Sequence, residues 1–290
     1  MCCASCGISA IDDVKLTDCD NCDLVKYCSE ECKENYIEKH EEECKKRAAE
    51  LRDRDLFEQP DESYLGECPI CCLPLPLDPT KSCMMACCSQ LICHGCHYAN
   101  GKREYEAGLE HRCAFCREPV PNSKEEIHKR RMKRVKKNCP VAMGEVGKRH
   151  HGDHETALKY WTNAAELGEA DAHFELSCMY RLGQGVEMDM KKEGYHLEQA
   201  AIRGHPEARH NLGIREANNG RFERAVKHFI IAANLGDHDS SLKRLKELYA
   251  KGNARKEDYA DALRAYQVAA NATKSAEREV AEEAIKNRDW

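Results

Sequence analysis

Residues 3–44 read CASCGISAIDDVKLTDCDNCDLVKYCSEECKENYIEKHEEEC, with the spacing Cys3-x2-Cys6-x12-Cys19-x2-Cys22-x5-Cys28-x3-Cys32-x7-His40-x3-Cys44. This stretch decides how the front of the chain folds. Zinc takes four thiolate or imidazole ligands in a tetrahedron, and a C-x2-C pair supplies two of them from one tight turn. Cys28/Cys32 and His40/Cys44 are spaced i, i+4, so a helix starting after Tyr27 would present each pair on one face. A second set of eight follows: Cys68-x2-Cys71, the adjacent pair Cys87-Cys88, Cys93-x2-Cys96 and Cys113-x2-Cys116. Fifteen of the 20 cysteines fall into these two patterns. With His40 they make sixteen ligands, and at four per ion the expected cofactor is zinc, four ions.

Working outward, the 290 residues suggest two or three domains, at about 100–200 residues each. A chain that is 33% charged and 6% aromatic suits small metal modules and charged helices better than one large core. The net charge of −6 gives no global reason to expect nucleic-acid binding. A disulfide framework would need an oxidising compartment and a secretory signal. The first residues, MCCASCGISAIDDVK, have neither a basic start nor an apolar run. The expectation is therefore an intracellular protein, cytoplasmic and/or nuclear and not secreted. No stretch approaches the roughly 18 apolar residues of a membrane span.

Residues 45–66 are almost all charged, and Pro60 and Gly66 break any helix there, so a short helix followed by a linker is expected. Residues 124–137 are strongly basic. They read either as a nuclear localisation or nucleic-acid segment, or as an amphipathic helix packing Met132, Val135 and Cys139 on the first repeat of the C-terminal half. Beyond Pro140 the chain repeats. Ala-Ala-x-x-Gly recurs at Ala164/Ala165/Gly168, Ala200/Ala201/Gly204 and Ala232/Ala233/Gly236, and Ala269/Ala270 follows with Thr273 in place of glycine. Periods near 34–36 residues with small residues at fixed places mark stacked helix-turn-helix units. The alanines let helices approach, and each glycine is expected to end a helix in a left-handed conformation. Gly183-Gln184-Gly185 and Asn218-Asn219-Gly220 are the expected turns within repeats. Such units cannot bury their apolar faces singly, so a solenoid is expected over about 140–273.

These motifs carry three resemblances. Tyr27-Cys28-Ser29 and the closing C-x7-H-x3-C resemble a MYND zinc finger. That resemblance implies interleaved sites, Cys3, Cys6, Cys28 and Cys32 for one ion, with Cys19, Cys22, His40 and Cys44 for the other. MYND fingers bind proline-containing peptides through a Gln and a Trp, and those positions match Lys33 and Ile37 here. CPIC at 68–71, the CC-x4-C-x2-C core and CAFCREPVP at 113–121 resemble an all-cysteine RING finger. The implied cross-brace pairs Cys68 and Cys71 with Cys93 and Cys96, and Cys87 and Cys88 with Cys113 and Cys116. Cys83 is an alternative to one of the adjacent pair, and His94, His97 and His111 flank the ligands. Ala114 stands where RING fingers usually carry proline. The last half resembles Sel-one-like repeats, relatives of the tetratricopeptide repeat, which hold protein partners on a concave face.

The fold class expected is thus multidomain: two small zinc-stabilised cross-brace modules followed by an all-α helical-repeat solenoid. The divisions are a MYND-type finger (1–46), a charged linker (47–66), a RING-type finger (67–121), a basic helix or linker (122–139), Sel-one-like repeats (140–273) and a charged helical tail (274–290). The linker and the basic helix are expected to keep the modules independent. The RING resemblance implies a ubiquitin ligase that forms no covalent intermediate. It would hold a ubiquitin-charged conjugating enzyme, with Ile70 touching that enzyme and Arg117 as a linchpin bridging it to ubiquitin, while the repeats recruit substrates. With four protein ligands on each zinc, hydrolytic metal chemistry is not expected. The alternative is a non-enzymatic adaptor for protein–protein assembly, with a nuclear regulator built on the MYND finger as a third reading.

Overall fold

The computed structural model describes residues 2–8, 15–58, 64–150 and 152–287. The chain divides into two compact units, Met1–Glu58 and Gln59–Trp290.

In the first unit, β1 (Thr17–Asp18) and β2 (Lys26–Tyr27) pair antiparallel, with Thr17 opposite Tyr27. Helix α1 (Glu30–Phe57) follows at once. Ser29 caps its start by accepting from the Cys32 N–H at 3.2 Å, and Glu30 and Glu31 occupy the first turn, where the helix dipole favours negative charge. The helix runs unbroken past residue 46, through much of the stretch read as linker. Its charge is compatible with this because Arg47 reaches back to Asp23 with two bonds, Nε–Oδ1 at 2.6 Å and Nη2–Oδ2 at 2.8 Å. Pro60, read as a helix breaker, lies outside the described residues.

The second unit opens with a hairpin, β3 (Ser82–Met84) against β4 (Leu91–Cys93), in which Cys83 lies opposite Ile92. Helix α2 (His94–Glu106) continues directly from β4. Leu75, Met85 and Ile92 form a small apolar core among the cysteines. Helix α3 (Lys124–Val135) is the basic segment. Arg130 donates to the Pro119 carbonyl, Arg131 pairs with Glu145 at 3.4 Å, and Val135 packs on the core of the first repeat. Of the three residues in the amphipathic reading, Val135 makes the expected contact, and the helix bridges the cysteine module and the repeats.

Eight helices then stack as four hairpins: α4 (Pro140–Arg149) with α5 (His154–Glu166), α6 (Ala170–Leu182) with α7 (Met190–Ile202), α8 (Pro206–Asn218) with α9 (Phe222–Leu235), and α10 (His238–Ala250) with α11 (Lys256–Ala272). Ala164, Ala200 and Ala232 have no exposed surface, as close helix packing requires. Gly204 follows α7 with φ +84°, and the next N–H, of His205, returns to the Ala200 carbonyl at 3.1 Å. That is the left-handed close of a helix, which any Cβ would strain. Without a glycine, α11 ends on Thr273 in a right-handed conformation, its hydroxyl bonded to the Ala270 carbonyl at 2.8 Å.

Helix α12 (Ala276–Asn287) is not a free tail. It folds back on α2, more than 170 residues earlier in the sequence, burying Arg278, Ala281 and Ala284. The cysteine module, the repeats and the C-terminal helix therefore belong to one unit. Independence of these modules, expected from the linkers, does not hold here, because α3 and α12 both clamp the module to the solenoid side.

Candidate metal centres and the groove beside them

The sequence places its cysteines in knuckles, and the backbone shows why these turns close. Gly7, Cys72, Ser89 and Arg117 all adopt positive φ, between 54° and 76°. Each donates its N–H four residues back, to the carbonyls of Cys3, Cys68, Met85 and Cys113 at 2.8–3.0 Å. In three of these turns the first and fourth residues are cysteines. In the turn Met85-Ala86-Cys87-Cys88 methionine takes the first place, and Cys87 supplies the missing sulfur from the third. The adjacent pair is thus a knuckle with one ligand shifted, and Met85 goes into the core instead.

Four groups of ligand atoms result, each with all atoms within 4.8 Å of one another. The structure brings together Cys3, Cys6, Cys28 and Cys32; Cys19, Cys22, His40 and Cys44; Cys68, Cys71, Cys93 and Cys96; and Cys87, Cys88, Cys113 and Cys116. In both modules the two groups interleave along the chain. Cys83 joins none of them. Its Sγ points at the Ile92 carbonyl, 3.6 Å away, and burial pushes its thiol up to about 12. His94, His97 and His111 also lie outside the groups. Burial draws His97 down to about 4.

The donor sets fit zinc. A tetrahedron with arms of about 2.3 Å has edges of about 3.8 Å. Sulfur–sulfur separations are 3.6 Å for Cys6–Cys28 and Cys19–Cys44, 3.9 Å for Cys71–Cys93 and Cys88–Cys113, and 3.3 Å for Cys87–Cys116. The His40 Nε2 lies 3.1 Å from Cys22 Sγ, which selects that nitrogen as the ligand atom. These separations are also far longer than the roughly 2.05 Å of a disulfide. Crowded thiols share protons: a hydrogen bond from Cys93 draws Cys68 down to about 4, and the same bond pushes Cys93 up. A dication relieves that crowding by taking every sulfur as thiolate.

Beside the third group runs a groove of about 400 Å³, lined by Ile70, Ala99, Asn100, Ala114 and Arg117 and rimmed by Glu277 of α12. Ile70 is 41% exposed there. Arg117 is anchored by two donors, Nη1 to Asn100 Oδ1 at 2.9 Å and Nη2 to Glu104 Oε1 at 2.8 Å. Its side chain keeps 49% of its surface, and three of its five N–H donors remain for other partners. Glu104 is 1% exposed. Burial favours its protonated form, but bonds from the Arg112 N–H, His111 and Arg117 overrule this and hold the carboxyl below its ordinary range. Sequence reading missed Glu104, and no motif marks it; it shows only once α2 turns it toward Arg112 and Arg117. In the first unit a cleft of about 490 Å³ is lined by Asp20, Tyr27, Lys33, Ile37 and Glu41. Lys33 is engaged by Asp20 at 2.6 Å and Glu30 at 2.8 Å, and Ile37 is exposed.

A family model described as the MYND finger matches residues 3–44. No curated protein matches the chain. Among solved structures, a Sel1 repeat protein from Oxalobacter formigenes is similar at 26% identity and a TM-score of 0.45, over 59% of this chain and 70% of that one. A protective antigen of uropathogenic Escherichia coli strains displaying an SLR fold is similar at 27% identity and a TM-score of 0.41, over 51% of this chain and 33% of that one.

Proposed function

We propose that the chain is a zinc-dependent RING-type ubiquitin ligase whose helical repeats recruit protein partners. In this reading the sixteen grouped residues are the zinc ligands and the metal is structural, because four protein ligands leave no open position on any ion. The observation that carries the reading is the groove beside the Cys68/Cys71/Cys93/Cys96 group, with an exposed Ile70 and Arg117 both in its lining. Ile70 supplies apolar contact to a ubiquitin-conjugating enzyme. Glu104 and Asn100 fix one edge of the Arg117 guanidinium, so its free donors meet enzyme and ubiquitin with little entropy left to lose. Catalysis then comes from restricting the thioester to a reactive geometry, with no covalent residue on this chain.

The test is ubiquitin discharge from a panel of charged conjugating enzymes. Arg117→Ala is expected to slow discharge about tenfold or more while binding changes little, since its bonds form only in the closed state. Ile70→Ala is expected to weaken binding itself. A blank result across the panel overturns the ligase reading. It would favour a non-enzymatic adaptor, for which Ala114 in the usual proline position and the α12 rim on the groove already speak.

A further inference from the structure

Arg278, on α12, is 5% exposed and meets the metal module from the far end of the chain. Its Nη1 donates to the Pro74 carbonyl at 2.8 Å and the Thr273 carbonyl at 2.5 Å. Its Nη2 donates to the Leu73 carbonyl and to Cys71 Sγ, both at 3.4 Å. The approach is close because position 95 has no side chain: a Cβ there would lie 2.9 Å from the Arg278 backbone nitrogen. Lys81 and Glu282 add an ion pair at 2.8 Å, and Ala281 buries completely beside it.

Burying a guanidinium is costly unless it is both hydrogen-bonded and neutralised. Three of its four acceptors are neutral carbonyls. The anionic partner is the sulfur cluster: four thiolates around one Zn²⁺ leave a formal charge of about −2. A cation donating to one of those sulfurs stabilises the thiolate, opposes its protonation and slows its departure from the metal.

We propose that α12 is a working part of the zinc module, and that Arg278 is an outer partner of the Cys68/Cys71/Cys93/Cys96 ion, holding the Cys71 thiolate so that retention of this zinc depends on α12. The inference needs zinc in that group and does not need ligase activity. The zinc content of the unmodified protein checks the first condition separately.

The experiment is zinc release from the full-length, zinc-loaded protein to a chromophoric chelator. Removing an outer-layer partner of a metal ligand typically costs 10–100-fold in affinity. Arg278→Ala is therefore expected to loosen one ion of the four by that factor and leave three unchanged. Arg278→Lys keeps the charge but spans fewer acceptors, and should fall between. Gly95→Ala changes no polar group; it pushes α12 off the module, and should loosen the same ion. Cadmium-substituted protein identifies the site, because only one tetrathiolate ¹¹³Cd resonance should move in Arg278→Ala. Four ions released at the unmodified rate overturn the proposal. So does a uniform loosening of all four with loss of helicity, which would make Arg278 a packing residue only.

Discussion

Residues 2–58 and the repeats α4–α11 solve the same problem in opposite ways. In the first unit the deeply buried side chains are largely ligands, Cys3, Cys22, His40 and Cys44, joined by Tyr27 and Leu56. Strands of two residues and a highly charged helix cannot bury enough apolar surface to offset chain entropy. In the repeats, Met143, Trp161, Leu176 and Met179 form one core and Phe229, Leu242, Leu245 and Leu248 another, with no metal group among the described residues there. The module at 67–121 stands between the two designs, with two ligand groups, a small core and a docked helix. A chain can thus hand stability from metal to packing along its length, and each part should answer to a different perturbation.

Metal removal should divide them most sharply. Structural zinc contributes on the order of 10–16 kcal/mol of folding free energy, more than so small a unit can supply otherwise. Cys22→Ser, which removes metal from the first unit alone, is expected to unfold its described residues up to Cys28, read as rapid amide hydrogen exchange. The helices α4–α11 should keep most of their protection. If Cys22→Ser also collapsed the far-ultraviolet helical signal of the repeats, the division of labour would be wrong.

The reverse perturbation is smaller. Gly204→Val places a β-branched residue at φ +84°, a strain of roughly 1–2 kcal/mol or more. Exchange protection in α7 and α8 should fall, and their shared interface should pass the loss to neighbouring repeats. Zinc content should stay unchanged. Unaltered exchange in α7 and α8 would mean that the strain is absorbed locally and that this glycine does not set the stack.

The legibility of the sequence follows the same division. Ligand spacing is local chemistry, so the pairs Cys3/Cys6, Cys19/Cys22, Cys28/Cys32 and His40/Cys44 can be written down from turns and helix faces, while which pairs share an ion is what the MYND resemblance implies. The repeat glycines are equally plain, since Gly168, Gly204 and Gly236 all need the conformation that only glycine takes freely. Spacing alone does not choose Cys87 and Cys88 over Cys83, because the choice depends on which turn forms, and in that turn Met85 fills the first knuckle position. Least legible is the return of α12. In the sequence Arg278 reads as one more charge in a charged tail. Its meaning lies in Gly95 and Cys71, and contacts across such a separation leave no periodic trace.

The smallest expected effect concerns pH and tests the core-held half on its own. Glu169 caps α6 through the Ala172 N–H. Burial, reinforced by the neighbouring charge of Asp171, raises its carboxyl to about 7. Lys148, which bonds Asp171 at 2.6 Å, and His205, 3.5 Å from it, complete the surroundings. A carboxyl whose folded pKa exceeds its unfolded value binds its proton more tightly when folded, so its contribution to stability declines as pH rises from about 4.5 to about 7. His173, drawn down to about 4 by burial, acts in the opposite sense between about 4 and 6.5. It is present in both proteins and cancels from the comparison. Glu169→Gln keeps the capping oxygen and removes the titration. Relative to the unmodified protein it should gain stability on going from pH 5 to pH 7.5. The side chain is only half-buried, so the gain should be about 1 kcal/mol or less. Urea midpoints of the repeats, followed by exchange or fluorescence of Trp161, measure this difference at the two pH values. An equal difference at both would show that Glu169 ionises as it does in the unfolded chain, and that the cap is held by geometry alone.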